Sequence, residues 1–199
     1  MLDILKPYLL TFIPIFVAVD AIGNIPLFVS LVEGMSKKDK HKALYECVAT
    51  AASVAILFML LGKLVLRLLG ISIPDFQIAG GILLFVIAVR LLLPGDGKSI
   101  LTHAHEKDVG IFPLGMPLIT GPAVLTTTLI MLDTYGIIPT FISLVINMFI
   151  VWVSLVKADW FMKVLGAGGA RGFAKIMYIL LAAIAVMMVR KGITGAFLR

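Results

Sequence analysis

Six apolar runs, each about as long as a bilayer's hydrocarbon is thick, constrain this chain more than any other feature. They occupy roughly 7–33, 43–69, 74–93, 111–132, 137–161 and 173–195. Crossing hydrocarbon takes about 20 mostly apolar residues in helical form. In lipid, a backbone must satisfy its own N–H and C=O groups, and a helix does this within one segment. Composition excludes a soluble domain: 61% of the 199 residues are hydrophobic and 14% charged, against about 45–50% and about 25% in soluble proteins. The expected fold class is therefore all-α, a polytopic integral membrane protein with six transmembrane helices. Residues 1–199 form a single transmembrane domain. The first run is expected to be a span and not a cleaved signal, because Lys6 is its only early positive charge and no cleavage site follows.

The net charge of +6 is a signal of topology. No nucleic acid is expected as a partner, and the lipid bilayer is. Eleven of the 17 Lys and Arg fall on the 1–2, 3–4 and 5–6 connections, beginning with Lys37, Lys38, Lys40 and Lys42. Six fall on the opposite side, and the 4–5 turn has none. The excess places those three connections in the cytoplasm and both termini outside a cytoplasmic (inner) membrane. Ser36 and Ser72, each followed three residues later by an aspartate, have capping-box spacing and should start the second and third helices. Pro94-Gly95-Asp96-Gly97 should end the third helix, and Gly166 to Gly172 reads as a tight link into the sixth.

An internal repeat divides the chain into repeat A (1–93), a polar loop (94–110) and repeat B (111–199). Phe76 to Val89 aligns without gaps on Phe173 to Val186, with Phe, Ile, Leu, Leu, Ile, Ala and Val in common. At an offset one residue shorter, Arg67-Leu-Leu-Gly70 lies on Lys163-Val-Leu-Gly166 and Pro26 lies on Pro122. Ile, Leu and Ala recur by chance in any membrane helix, but agreement at three separated places is harder to produce that way. Three helices per half is an odd number, so the halves must insert upside-down relative to each other. Such inverted repeats are frequent in secondary transporters.

The first and fourth spans carry the expected chemistry. Asp20-Ala-Ile-Gly23-Asn24-Ile-Pro26 sits in the first. A mid-span carboxylate costs roughly 2.5–3.5 kcal/mol to insert. Pro26 removes a donor and frees carbonyls one turn back, and Gly23 lets the chain leave helical geometry. The expectation is a broken helix in which Asn24 caps the second half. The fourth span holds Pro113, Pro117, Thr120-Gly121-Pro122 and Thr126-Thr127-Thr128, so a second break is expected at Pro117 to Pro122. Two half-helix N-termini facing one cavity suit a carboxylate. The opposing carbonyl ends, with Asp20, suit an ammonium group or a cation, and a small zwitterion matches both.

The candidate substrate-binding residues are Asp20, Gly23, Asn24, Thr120, Gly121 and Thr126; Pro26, Pro117 and Pro122 mark the helix breaks. One Pro kink alone is usually structural, and threonines in a helix often bond their own backbone. Asn147 and Gln77 read as interhelical glue, and Ala79-Gly80-Gly81 as a close-packing face. His103-Ala104-His105 has no third ligand at a convincing spacing, so no metal is expected. Cys47 has no partner for a disulfide. Neither a catalytic motif nor a cofactor signature occurs, and no enzyme is expected.

Asp20 to Pro26, Phe76 to Phe85, Pro117-Leu-Ile-Thr-Gly-Pro122 and Leu180 to Ala185 together resemble the MarC family (UPF0056) of inner-membrane proteins. The likeness covers essentially the whole chain. In the family pattern of the first span, proline stands where this chain has Ala21; in the fourth, glycine is common where it has Ala123. The resemblance implies a SnatA-like transporter of small neutral amino acids such as glycine and alanine. It would work by alternating access, with Asp20 as ammonium partner or as the site of a coupling ion, Na⁺ or H⁺. An ion channel using the same breaks and a non-transporting membrane scaffold are the alternatives.

Overall fold

The computed structural model describes residues 2–32, 34–93, 115–116 and 119–197. The 94–110 loop with His103 and His105, and the prolines Pro113 and Pro117, lie outside the described residues. Every regular element described is helical: α1 Leu2–Val19, α2 Asn24–Leu31, α3 Lys37–Leu68, α4 Ile73–Leu92, α5 Pro122–Tyr135, α6 Ile137–Val156 and α7 Ala158–Phe197.

Local chemistry sets most of these boundaries. Ser36 starts α3 by accepting from the Asp39 N–H at 3.2 Å. Ser72 starts α4 with a reciprocal box: its hydroxyl accepts from Asp75 N–H, and the Asp75 carboxylate accepts from Ser72 N–H at 2.9 Å. Helix α3 stops where Gly70 takes φ +68°, and Ile71 N–H then reaches back to the Leu66 carbonyl at 2.9 Å. That pattern satisfies the last carbonyls of a helix and favours glycine, which has no Cβ to clash. Gly166 takes the same φ of +68°.

Two expected boundaries change. The Gly166–Gly172 link is a single non-helical residue, Gly166, after which α7 resumes at once and runs to Phe197. One left-handed residue is enough to redirect the chain, and the backbone that follows it keeps helical geometry. The fifth run ends at Val156, not near 161; Lys157 turns the chain, and Ala158 begins the next helix.

Five stretches are long and apolar enough to cross a membrane: Leu5–Leu31, Lys37–Leu68, Ile73–Leu92, Ile137–Val156 and Gly172–Phe197. Only 17–50% of each apolar window is buried within the protein. The remaining apolar surface, including Leu57, Leu60, Leu64, Leu68 and Phe149, is far larger than a soluble monomer leaves in contact with water. The run expected as the fourth span, 111–132, is described in part, and its regular helix, α5, has 14 residues. At 1.5 Å per residue that is about 21 Å, too short to cross alone.

Packing follows small residues. Helices α4 and α7 share the largest interface. A Cβ on Gly81 would lie 2.8 Å from the Ala185 carbonyl oxygen, so the two backbones touch there. Ala88 and Ala185 are both fully buried. Helix α3 turns the stripe Cys47, Ala51, Ala55 and Met59 inward, spaced one helical turn apart. Cys47 is free and buried.

Between α1 and α6 runs a seam of buried hydroxyls. Thr11 and Ser143 share a 2.6 Å hydrogen bond, and Asn147 donates across to the Phe12 carbonyl at 3.4 Å. Asn147 is therefore interhelical, as its sequence context implied. Its amide oxygen is buried without a donor.

Candidate functional site

The first span breaks at Asp20. This residue adopts φ +46°, a left-handed conformation that Asp and Asn tolerate better than most side chains. Asn24 N–H bonds to the Asp20 carbonyl and Ile25 N–H to the Ile22 carbonyl. No donor from Ala21 or Ile22 reaches the Val17 and Ala18 carbonyls, as it would in a continuous helix. Pro26 falls in the first turn of α2, where its missing donor costs no helical bond.

Two side chains stitch the break together, and Asn24 serves the opposite end of the break from the one expected of it. The Asp20 carboxylate accepts from Gly23 N–H at 3.1 Å and so covers the start of α2. Asn24 does not cap α2. Its amide donates backwards, to the Val19 carbonyl at 2.8 Å and the Asp20 carbonyl at 3.0 Å, closing the end of α1. The physical reason is the match of donors to acceptors: a carboxylate only accepts, so it serves the N–H end, and an NH₂ serves the carbonyl end. Asn24 is 4% exposed, and its oxygen receives no hydrogen bond from the described residues. Gly23 lies so close to the carboxylate that a Cβ there would sit 2.1 Å from Asp20 Oδ2.

The second break lies at Thr120–Gly121. Thr120 N–H bonds to the Gly115 carbonyl, five residues back, at 3.2 Å; this is a widened turn of the kind that interrupts helices. Gly121 is extended, and Pro122 opens α5 at its first position, the place where proline is best tolerated. Helix α4 braces this point, since a Cβ on Gly80 would lie 2.0 Å from the Pro122 ring.

The two breaks meet across a hollow of about 30 Å³, room for one or two waters. Asp20, Gly23, Asn24, Gly121 and Pro122 all line it, with Ala18 and Val19 from the end of α1 and Ala123 and Val124 from the start of α5. Ala123 and Val124 are in the first turn of α5, where N–H groups have no intrahelical acceptor. No Lys, Arg or His pairs with Asp20 among the described residues. The hollow thus has a carboxylate and carbonyls on one side and an unsatisfied helix N-terminus on the other. Such an arrangement complements opposite charges at its two ends.

Two sequence candidates stand outside this lining. Thr120 is fully buried, and its hydroxyl donates to the Ala51 carbonyl of α3 at 2.8 Å. Thr126 donates to the Pro122 carbonyl of its own helix at 2.8 Å. Both hydroxyls are spent on backbone acceptors, which is how an isolated hydroxyl in an apolar interior is most easily satisfied. Pro117 is outside the described residues.

The opposite wall is apolar: Leu84 from α4, and Met177, Leu181 and Ile184 from α7. Reasoning from polar motifs missed these four. The repeat carried the signal, since Leu84 aligns with Leu181, Ile87 with Ile184 and Gly80 with Met177.

Comparison with known proteins matches the full span of this architecture. The family model described as "MarC family integral membrane protein" matches residues 5–197. The chain belongs to the MarC family. It is 29% identical over 205 residues to a UPF0056 membrane protein of Pyrococcus abyssi, covering 99% of each chain. A UPF0056 membrane protein of Methanocaldococcus jannaschii is 31% identical over 206 residues, with 98% of this chain and 90% of the relative covered. The UPF0056 membrane protein YhcE of Escherichia coli is 29% identical over 200 residues, with coverage of 96% and 93%. No solved structure matches. Both helix breaks and the hollow they line fall within the stretch that the MarC model matches.

Proposed function

We propose that this MarC-family protein is a secondary transporter of the cytoplasmic membrane, moving small neutral amino acids of the glycine and alanine kind by alternating access. One observation carries the reading. Two helix breaks, at Asp20–Gly23 and Thr120–Pro122, put around a single hollow a carboxylate and a helix start that have no cation and no side-chain cap among the described residues. Such a site complements a zwitterion: the ammonium group takes Asp20 and the carbonyls of α1, and the carboxylate takes the first turn of α5. The reading is supported by broken helices whose ends meet at a binding site being a recurring design among secondary transporters.

Alternating access asks for two inverted halves, and several features favour them. Gly70 and Gly166, paired by the repeat, share φ +68°. Ala88 and Ala185, also paired, are both fully buried in the α4–α7 interface. Leu84 and Leu181 line the same hollow. In this layout the 111–132 run is the fourth span, with α5 as its second half. At about 30 Å³ the hollow represents a closed form, and loading requires the breaks to part. The alternative role for Asp20, in place of the ammonium partner, is the site through which Na⁺ or H⁺ would be coupled.

The test is uptake of labelled glycine and alanine into proteoliposomes under imposed Na⁺ or proton gradients. Wild-type protein should show saturable uptake and trans-stimulated counterflow, which a channel lacks. Asp20→Asn and Asn24→Ala should each abolish uptake while the protein remains monodisperse in detergent. Full uptake by both variants would falsify the site.

A further inference from the structure

The hollow has a polar side and an apolar side, and the two halves of the chain do not build the apolar side equally. Helices α4 and α7 bring to it Leu84, Met177, Leu181 and Ile184, beside Leu27, Val19 and Val124 from the broken spans. Leu84 and Leu181 are repeat equivalents of the same size, and Ile184 is matched by Ile87. Among the residues that α4 and α7 bring to the hollow, only Met177 stands at a position where the other half has glycine. That glycine, Gly80, is needed because the Pro122 ring lies against it: a Cβ would sit 2.0 Å from the proline Cγ. On the α7 side, the equivalent position carries a long unbranched side chain and lines the hollow together with Gly23 and Asn24.

An amino acid bound with its charged groups on Asp20 and the start of α5 must turn its side chain toward this wall. Methionine is an adaptable filler with three rotatable bonds. It is half-buried and stands outside the core cluster, against which Leu181 and Ile184 pack. Leu84, by contrast, is 7% exposed and part of the packed core. Met177 is thus the wall residue whose loss enlarges the hollow with least disturbance to the fold.

We infer that Met177 sets the upper size of the solute side chain: it is the plug that admits hydrogen or methyl and excludes branched chains. This inference rests on the amino-acid transporter reading above. Met177→Ala removes three heavy atoms (Cγ, Sδ and Cε), the number by which leucine exceeds alanine. A pocket that rejects a substrate for size loses roughly 10- to 200-fold discrimination per methylene when the obstruction goes.

The experiment is competition for labelled alanine uptake in proteoliposomes by unlabelled glycine, alanine, valine and leucine. Met177→Ala should lower the half-inhibitory concentrations of valine and leucine about tenfold or more, with glycine changed little. Met177→Leu, close in volume, should keep the wild-type order. Met177→Phe should weaken alanine more than glycine, and it keeps the test decisive if the alanine variant folds poorly. An unchanged competition order in both Met177→Ala and Met177→Phe overturns the inference while leaving the transporter reading intact. Absence of any glycine or alanine uptake by wild-type protein overturns the transporter reading itself, and this inference with it.

Discussion

Asp20 concentrates the cost of this structure in one residue. It holds a left-handed backbone at φ +46°, keeps a carboxylate within an apolar span, and covers the start of α2 through Gly23 N–H. Left-handed geometry at a non-glycine residue costs of order 1–3 kcal/mol and persists where surrounding structure enforces it. Asn shares both the backbone tolerance and an oxygen that accepts from Gly23. Asp20→Asn should therefore unfold within about 1 kcal/mol of wild type, so that its loss of uptake reads as chemistry. Gly23→Ala should behave in the opposite way. Its Cβ would fall 2.1 Å from Asp20 Oδ2, and relieving that clash means giving up the bond that caps α2. A fall of about 1–3 kcal/mol in stability is expected, visible as a lower thermal midpoint in detergent. Thr126 provides the control: its hydroxyl bonds Pro122 and Ala123 carbonyls of its own helix, so Thr126→Ala should leave the alanine KM unchanged.

At the scale of elements, the α4–α7 pair holds the apolar wall in place. With Gly81 against the Ala185 carbonyl, the contact depends on backbones approaching closely, the usual mode of helix association in lipid. Gly81→Val should push the helices apart and destabilise the protein by about 1–3 kcal/mol, with loss of uptake as the wall moves. Gly168 tests the other side of the same helix. It lies within the helical part of α7, and a Cβ added there meets no atom within 4 Å. Gly168→Ala should raise stability by up to ~1 kcal/mol, measured by thermal unfolding. A non-helical link at 166–172 would show no such gain, so this substitution separates a helix from the tight link that the sequence implied.

At the scale of the whole molecule, charge asymmetry and the buried native thiol together permit a direct test of orientation. Cys47 is fully buried and should resist a membrane-impermeant maleimide. Single cysteines added at Lys38 and at Ile71 lie at the two ends of α3, on opposite sides of the bilayer. In right-side-out cells the reagent should label Ile71→Cys and spare Lys38→Cys, with the reverse in inverted vesicles. Labelling of Lys38→Cys from outside would invert the topology expected from the charge count.

Sequence alone determined that the chain is a helical membrane protein, where most helices begin, and that the first span breaks near Asp20. These are local consequences: apolar length, Ser-x-x-Asp spacing and a Gly–Pro interruption act through neighbours in the chain. Tertiary structure decided which groups face the hollow. Thr120 went to the Ala51 carbonyl and Thr126 to its own helix, because each hydroxyl takes the nearest acceptor that the packing offers. Asn24 closed the end of α1 and left the start of α2 to Asp20, since donor and acceptor had to be matched across a bend whose shape no local pattern records. The apolar wall came from α4 and α7, far along the chain from both breaks. Only the packing of those helices against the broken ones put Leu84 and Met177 beside Asp20.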